Sequence, residues 1–223
     1  MKTIYLVRHA KAVSRATDLP DFDRRLLPRG KKVSAQMAER LKKQEIIPEL
    51  FISSPALRAL ETARVFAKTL KYPKKEIVKE QGLNNEFGPE EFLQFIRMLD
   101  NERNAVIVFG HEPMISAYAG YLLKSFHESV PKTAVIGIEF GNKTWKNIQP
   151  GSGKLILFDY PGKKAKELKN LRAELQARLT DRVFELFSQT DKTIADLMKP
   201  DIETASKQLA AKFVKKLKKQ NAS

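Results

Sequence analysis

The chain has 223 residues, no cysteine and a formal net charge of +15. The lack of cysteine excludes disulfides, thiol nucleophiles and thiolate metal sites, while 42% hydrophobic content and 13 Phe exclude a wholly disordered chain. No apolar run approaches the roughly 20 residues of a membrane span. Met1-Lys2-Thr3 leads directly into a strand, without the basic and apolar regions of a signal peptide. The expectation is therefore a cytoplasmic protein with no membrane contact. Positive charge is shared unevenly: residues 162–223 carry 15 Lys/Arg against 8 Asp/Glu, and residues 1–161 carry 26 against 18. Such a field attracts anions but equally suits a merely soluble surface, so it does not choose a function.

Taken in chain order, short β-branched and aromatic runs alternate with helical patterns, which predicts an α/β fold. Strands are expected at 2–7, 49–53, 105–109, 134–140 and 154–159, with a weaker one near 76–78. Arg29 to Lys43 has Val33, Met37 and Leu41 at helical spacing. Pro55 suits the first turn of a helix running to about Leu70, Pro89 opens another over 89–99, and a fourth follows Pro113 to about Lys124. The loop 11–28 is long and polar, the kind that is functional or mobile. From Lys163 onward there is no Gly and a single Pro, at position 200. Leu168, Leu171, Leu175, Leu179, Val183 and Leu186 form one helical stripe, and Ile202, Ala205, Leu209, Phe213 and Leu217 another, with Pro200-Asp201 as the expected break. The domain expectation is 1–161 as one α/β unit and 162–223 as a basic helical extension. The closing run Lys215, Lys216, Lys218, Lys219 lacks interleaved aromatics, so nucleic acid is not an expected partner.

The chemistry is concentrated where strands end. Ile4 to Val7 is an apolar strand that stops at Arg8-His9. A strand fixes the side chain at its carboxyl end, where open α/β sheets hold their ligands. A neutral imidazole is a nucleophile near pH 7, and a guanidinium offers a planar fork matched to phosphate oxygens. Ser53-Ser54-Pro55-Ala56-Leu57-Arg58 delivers a second guanidinium at the next strand end, and Phe109-Gly110-His111-Glu112-Pro113 a second imidazole. Asp23-Arg24-Arg25-Leu26-Leu27-Pro28-Arg29-Gly30 adds a loop arginine. Asp21-Phe22-Asp23 does not follow a hydrophobic strand, which argues against an aspartyl-phosphate nucleophile or a metal site there. His127 has no partner motif and reads as a surface residue. No glycine-rich phosphate loop or dinucleotide fingerprint is present.

LVRHAKA at 6–12, DRRLLPRG at 23–30, SSPALRALETA at 53–63 and GHEP at 110–113 together resemble the histidine phosphatase superfamily, specifically its SixA-like phosphohistidine phosphatase branch, over about residues 1–161. The run 132–140 is similar to the family's late strand. The chain departs from the family at Arg25, Leu27 and Glu61, where Pro, Thr and Gln are usual. The resemblance implies a three-layer α/β/α sandwich with a mixed, mostly parallel sheet. It implies that His9 is the phosphorylated nucleophile, that Arg8, Arg58 and His111 grip the phosphoryl oxygens, and that Arg24 joins them in binding substrate. Larger members carry a general acid after the third strand, and Glu86 in Leu83-Asn84-Asn85-Glu86 is the candidate, with Glu90 and Glu91 as alternatives.

Four cationic or imidazole groups suit a transition state whose charge is spread over three equatorial oxygens, so no metal or cofactor is required. The expected partner is a phosphorylated substrate, with phosphate or sulfate able to occupy the pocket. An alkoxide leaving group needs a proton, an effect of about 10²–10⁴-fold, whereas an imidazole can leave already protonated. A site without a clear acid therefore favours a protein phosphohistidine phosphatase. The alternatives are a small-molecule phosphomonoesterase of the same superfamily and a non-catalytic phosphate-binding module that works through its helical tail. Oligomeric state is left open.

Overall fold

In the computed structural model, residues 1–14, 19–84 and 86–220 are described, with the side chains of 219 and 220 left aside. Part of the expected functional loop (15–18) and the Lys219 side chain of the basic run lie outside the described residues. The chain divides into two units, Met1–Pro161 and Gly162–Ser223.

The first unit is organised by its most apolar strand. β1 (Lys2–Arg8) alternates Ile4 and Leu6 on one face with Tyr5 and Val7 on the other, and all four are buried. A strand buried on both faces must be covered on both faces. The sheet has six strands, β2 being Leu50–Ser53, β3 Val78–Lys79, β4 Ala105–Gly110, β5 Val135–Phe140 and β6 Lys154–Asp159, in the order β3-β2-β4-β1-β5-β6. β3, β2, β4 and β1 run parallel; β5 is antiparallel to β1, and β6 to β5. α1 (Pro28–Lys43) and α2 (Leu57–Thr69) cover one face, where Met37, Leu41, Leu60 and Phe66 pack with Tyr5, Val7, Phe51 and Phe109. α3 (Pro89–Arg97) and α4 (Met114–Leu122) cover the other, where Phe92, Ile96, Ile115 and Tyr118 pack with Ile4, Leu6 and Val108. This is the expected three-layer sandwich with a mixed, mostly parallel sheet.

The register sets the site. Arg8 is paired with Gly110 and Ser53 with Phe109, so β1, β2 and β4 finish at one edge. The long loop after β1 is closed on itself by a bridge between Ala12 and Leu26 and by the Leu27 amide donating to the Lys11 carbonyl. Gly30, on the first turn of α1, sits against that segment; a Cβ there would lie 2.2 Å from the Lys11 carbonyl oxygen, which only glycine tolerates.

The second unit is a helical hairpin of α5 (Lys163–Thr190) and α6 (Lys192–Gln220). The expected break at Pro200-Asp201 is not observed: Pro200 lies inside α6. The chain reverses instead at Asp191, whose Oδ1 accepts from the amides of Thr193 (2.8 Å) and Ile194 (3.2 Å). An aspartate satisfying the first free amides of a helix is a start signal, and here it outweighs the proline. The expected second stripe is also divided. Ile202 is buried with Ala195, Ser206, Ala210 and Val214, whereas Leu209 and Phe213 are exposed. No helix among the described residues is long and apolar enough to cross a membrane.

Candidate active site

His9 follows the last residue of β1, and its amide donates to the Gly110 carbonyl at 3.0 Å, which pins it to β4. Its Nδ1 lies 2.8 Å from the Ala10 carbonyl. A carbonyl only accepts, so Nδ1 carries the proton and Nε2 keeps its lone pair. Burial pushes the imidazole down to about 4; the Ala10 bond opposes this, and the charges of Arg58, Arg8 and Lys132 reinforce it. His9 is therefore neutral, and nucleophilic at Nε2, throughout the neutral range.

His111 follows β4, its ring centroid 5.2 Å from that of His9. Nε2 shares a hydrogen bond of 2.8 Å with Ser54 Oγ, while Nδ1 is buried without a hydrogen-bond partner. Burial, then the charge of Arg58 and the neighbouring His9, hold it down at about 3, against the opposing Asp21 carboxylate.

Arg8 ends β1; its Nη1 donates to the Val130 carbonyl at 2.7 Å and its Nε is buried without a partner. Arg58, the second residue of α2, is only 2% exposed. Thr62 locks that turn to the strand end: its Oγ1 accepts from the Ala10 amide at 3.0 Å and donates to the Arg58 carbonyl at 2.7 Å. The loop residue Arg24 donates through Nη1 to the Val13 carbonyl at 2.8 Å. Glu61, on α2, holds the loop by accepting from the Leu26 amide at 2.7 Å.

A cavity of about 380 Å³ lies at this edge of the sheet. Arg8, His9, Arg24, Arg58 and His111, five of the six residues singled out in the sequence, meet there. Glu86 does not. It is exposed, in a turn whose amide donates to the Gly82 carbonyl, and it is not among the lining residues; Glu90 and Glu91 are exposed as well.

Three participants went unread in the sequence. Glu112 lines the cavity; its Oε2 accepts from Ser116 Oγ at 2.7 Å and its Oε1 is buried without a partner. Lys132 lines it too, because β5 runs antiparallel to β1 and so begins where β1 ends. Asp21, set aside in the sequence, sits on the arginines: its carboxylate pairs with Arg58 Nη2 at 2.9 Å and Arg24 Nη2 at 2.7 Å, and its carbonyl accepts from Arg58 Nη1. The proximity of Arg24 to Asp21 by three residues was the available signal; the link to Arg58 spans 37 positions and had none.

A neutral imidazole at a strand end, beside three guanidinium groups and a second imidazole, is built to receive a phosphoryl group. The class that fold and site define is the phosphatase. Residues 4–98 match the model of the histidine phosphatase superfamily (branch 1). An uncharacterized protein of Picosynechococcus sp. is 28% identical over 142 residues, 62% of this chain and 85% of that protein. The crystal structure of SixA from Agrobacterium tumefaciens superposes with a TM-score of 0.60 at 24% identity, over 72% of this chain and 99% of that one. A protein histidine phosphatase SixA complexed with tungstate gives 0.61 at 22% identity, over 70% and 95%. Phosphoserine phosphatase from Entamoeba histolytica, in complex with 3-phosphoglyceric acid, gives 0.52 at 15% identity, over 72% and 98%.

Proposed function

We propose that the protein hydrolyses phosphohistidine by way of a covalent phospho-His9. The observation that carries this reading is the neutral, buried His9 in a cavity lined by Arg8, Arg24, Arg58, His111 and Lys132, with Glu86 outside it. In the first step the Nε2 lone pair attacks phosphorus, the substrate P–N bond breaks, and its electron pair leaves with the imidazole. In the second, water attacks the phosphoryl group, the P–Nε2 bond breaks, and inorganic phosphate and neutral His9 are released. Arg8, Arg58 and Arg24 neutralise the charge on the equatorial oxygens in both steps, and the neutral His111 imidazole donates a hydrogen bond to them. Arg8 Nε and His111 Nδ1 are buried without partners, each costing the folded protein about 1–3 kcal/mol. A phosphoryl oxygen would relieve that cost, which is the sense in which the cavity is preorganised.

Fold likeness does not choose the substrate, since the similar structures include both a protein histidine phosphatase and a phosphoserine phosphatase. One observation favours the second reading, a small-molecule phosphomonoesterase: Glu112 puts a carboxyl group on the cavity wall, where it is placed to protonate an alkoxide. Comparing kcat/KM for a phosphohistidine peptide and for sugar phosphates, in the native chain and in Glu112→Gln, separates the two. The proposal expects the peptide to be preferred and the variant to be nearly unchanged on it. A preference for sugar phosphates, lost by about 100-fold in the variant, would overturn it in favour of the monoesterase.

A further inference from the structure

The helical hairpin leaves one of its faces unmatched. Its two helices share a thin seam: no residue of α5 is fully buried, and among the described side chains of α6 the buried ones are Ala195, Ile202, Ser206, Ala210 and Val214, three of them Ala or Ser. Beside this seam α6 carries a second row at four-residue spacing, Leu197, Asp201, Ala205, Leu209 and Phe213, and this row is exposed. Leu197 is 79% exposed, Leu209 55% and Phe213 49%. Helix residues four apart stand above one another, so these side chains form a continuous ridge. Three of the five, Leu197, Leu209 and Phe213, are large and apolar, and an exposed apolar patch of this kind on a helix marks a surface that another element covers.

Charge selects the element. The first turns of α5 and the last of α6 lie at the same end, since Lys164, Leu168 and Leu171 line a cleft with Lys218. Residues 163–176 and 206–218, which make up this open end, carry ten Lys/Arg against two Asp/Glu. Residues 177–205, at the turn end, carry four Lys/Arg against six Asp/Glu. The hairpin is thus strongly positive at one end and negative at the other. A copy of itself, laid antiparallel, is complementary at both ends, whereas a parallel copy would stack positive on positive. The ridge has the same symmetry: Leu197 and Phe213 are equidistant in sequence from Ala205, whose small side chain permits close approach at the centre.

We propose that the hairpin is a dimerisation element, two copies packing antiparallel along the Leu197–Phe213 ridge as a four-helix bundle. Ala205 meets Ala205 of the second copy on the two-fold axis, and Leu197 faces Phe213 of the second copy. Asp196 comes within a turn of Lys212 and Lys216 of the second copy, and Asp201 within a turn of Lys212. The proposal is independent of the substrate.

Light scattering coupled to size exclusion, on the full chain at micromolar concentration, is the first test. The dimer has twice the 25.4 kDa chain mass, and Leu209→Asp with Phe213→Asp halves the observed mass. Both positions are half exposed, so helicity by circular dichroism should be retained, and a loss of helicity would be answered by the milder Leu197→Ser with Leu209→Ser. The native chain has no cysteine, so single substitutions report orientation without background. Ala205→Cys should form a disulfide dimer under mild oxidation, and Phe213→Cys alone should not. A monomeric native chain, with the ridge covered by its own first unit, by lipid or by another partner, would overturn the proposal. So would a dimer insensitive to the ridge substitutions, or Phe213→Cys cross-linking to itself in preference to Ala205→Cys.

Discussion

Acidification should unfold the first unit through its two site histidines. His9 and His111 are held neutral, at about 4 and about 3, by burial among cations. In the unfolded chain an imidazole titrates near 6.5. Between these values the unfolded chain binds more protons than the folded one, so unfolding free energy falls as pH falls. The stability is fully present above about pH 6.5 and is progressively lost below it. Moving from pH 7 to pH 5 removes about 2 kcal/mol per histidine, or about 4 kcal/mol together. Against a usual total of about 5–15 kcal/mol, that is a large share.

Trp145 gives a clean readout, because it is the only tryptophan in the chain and is fully buried within the first unit. Its fluorescence in urea, at pH 7 and pH 5, gives the two free energies; the same pair for His9→Asn with His111→Asn removes every contribution other than the two imidazoles. The native protein should lose about 4 kcal/mol more than the double variant over this interval. Equal losses in the two proteins would refute the claim that the site holds both histidines neutral.

Three further outcomes follow from the same geometry. Asp21→Asn withdraws the carboxylate that occupies Arg58 and Arg24; inorganic phosphate should then inhibit about threefold to tenfold more tightly, and weaker inhibition would mean that Asp21 serves to hold the arginines in place. Arg58→Lys keeps the charge but loses the planar fork, and should lower kcat/KM by about 100-fold or more with little change in melting temperature. Thr62→Val removes the hydrogen bond that ties α2 to the strand end at Ala10 and a second one to the Arg58 carbonyl within α2; a loss of about 1–3 kcal/mol in urea unfolding, with a fall in activity, is expected.

Much of this molecule is legible in the sequence because one signal repeats. β1, β2 and β4 are apolar runs ended abruptly by Arg8-His9, Ser53-Ser54 and Gly110-His111, and a parallel sheet brings such ends to one edge. The catalytic candidates therefore declare themselves locally. What is hidden depends on contacts between distant segments. Lys132 reaches the cavity only because β5 is inserted antiparallel beside β1. Asp21 looks like an ordinary loop carboxylate until the loop folds back over Arg58. Lys2 opens the expected first strand, and nothing near it in sequence shows that its Nζ is bonded to the carbonyls of Asn101 and Arg103 and to Asn104 Oδ1, about a hundred positions away. Pro200 misplaces the hairpin turn because proline is the loudest local breaker, whereas the Asp191 cap is quieter and decides.

The central claim is that His9 becomes phosphorylated during turnover. The full chain, incubated with a small phosphoramidate donor and quenched in alkali, should carry phosphate that is stable to base, labile to acid and located by mass spectrometry on His9. His9→Ala should abolish both this label and the release of phosphate, and His111→Asn should retain the label site while slowing its formation. Phosphate release by the native chain with no label on His9, or persisting activity in His9→Ala, would contradict the claim.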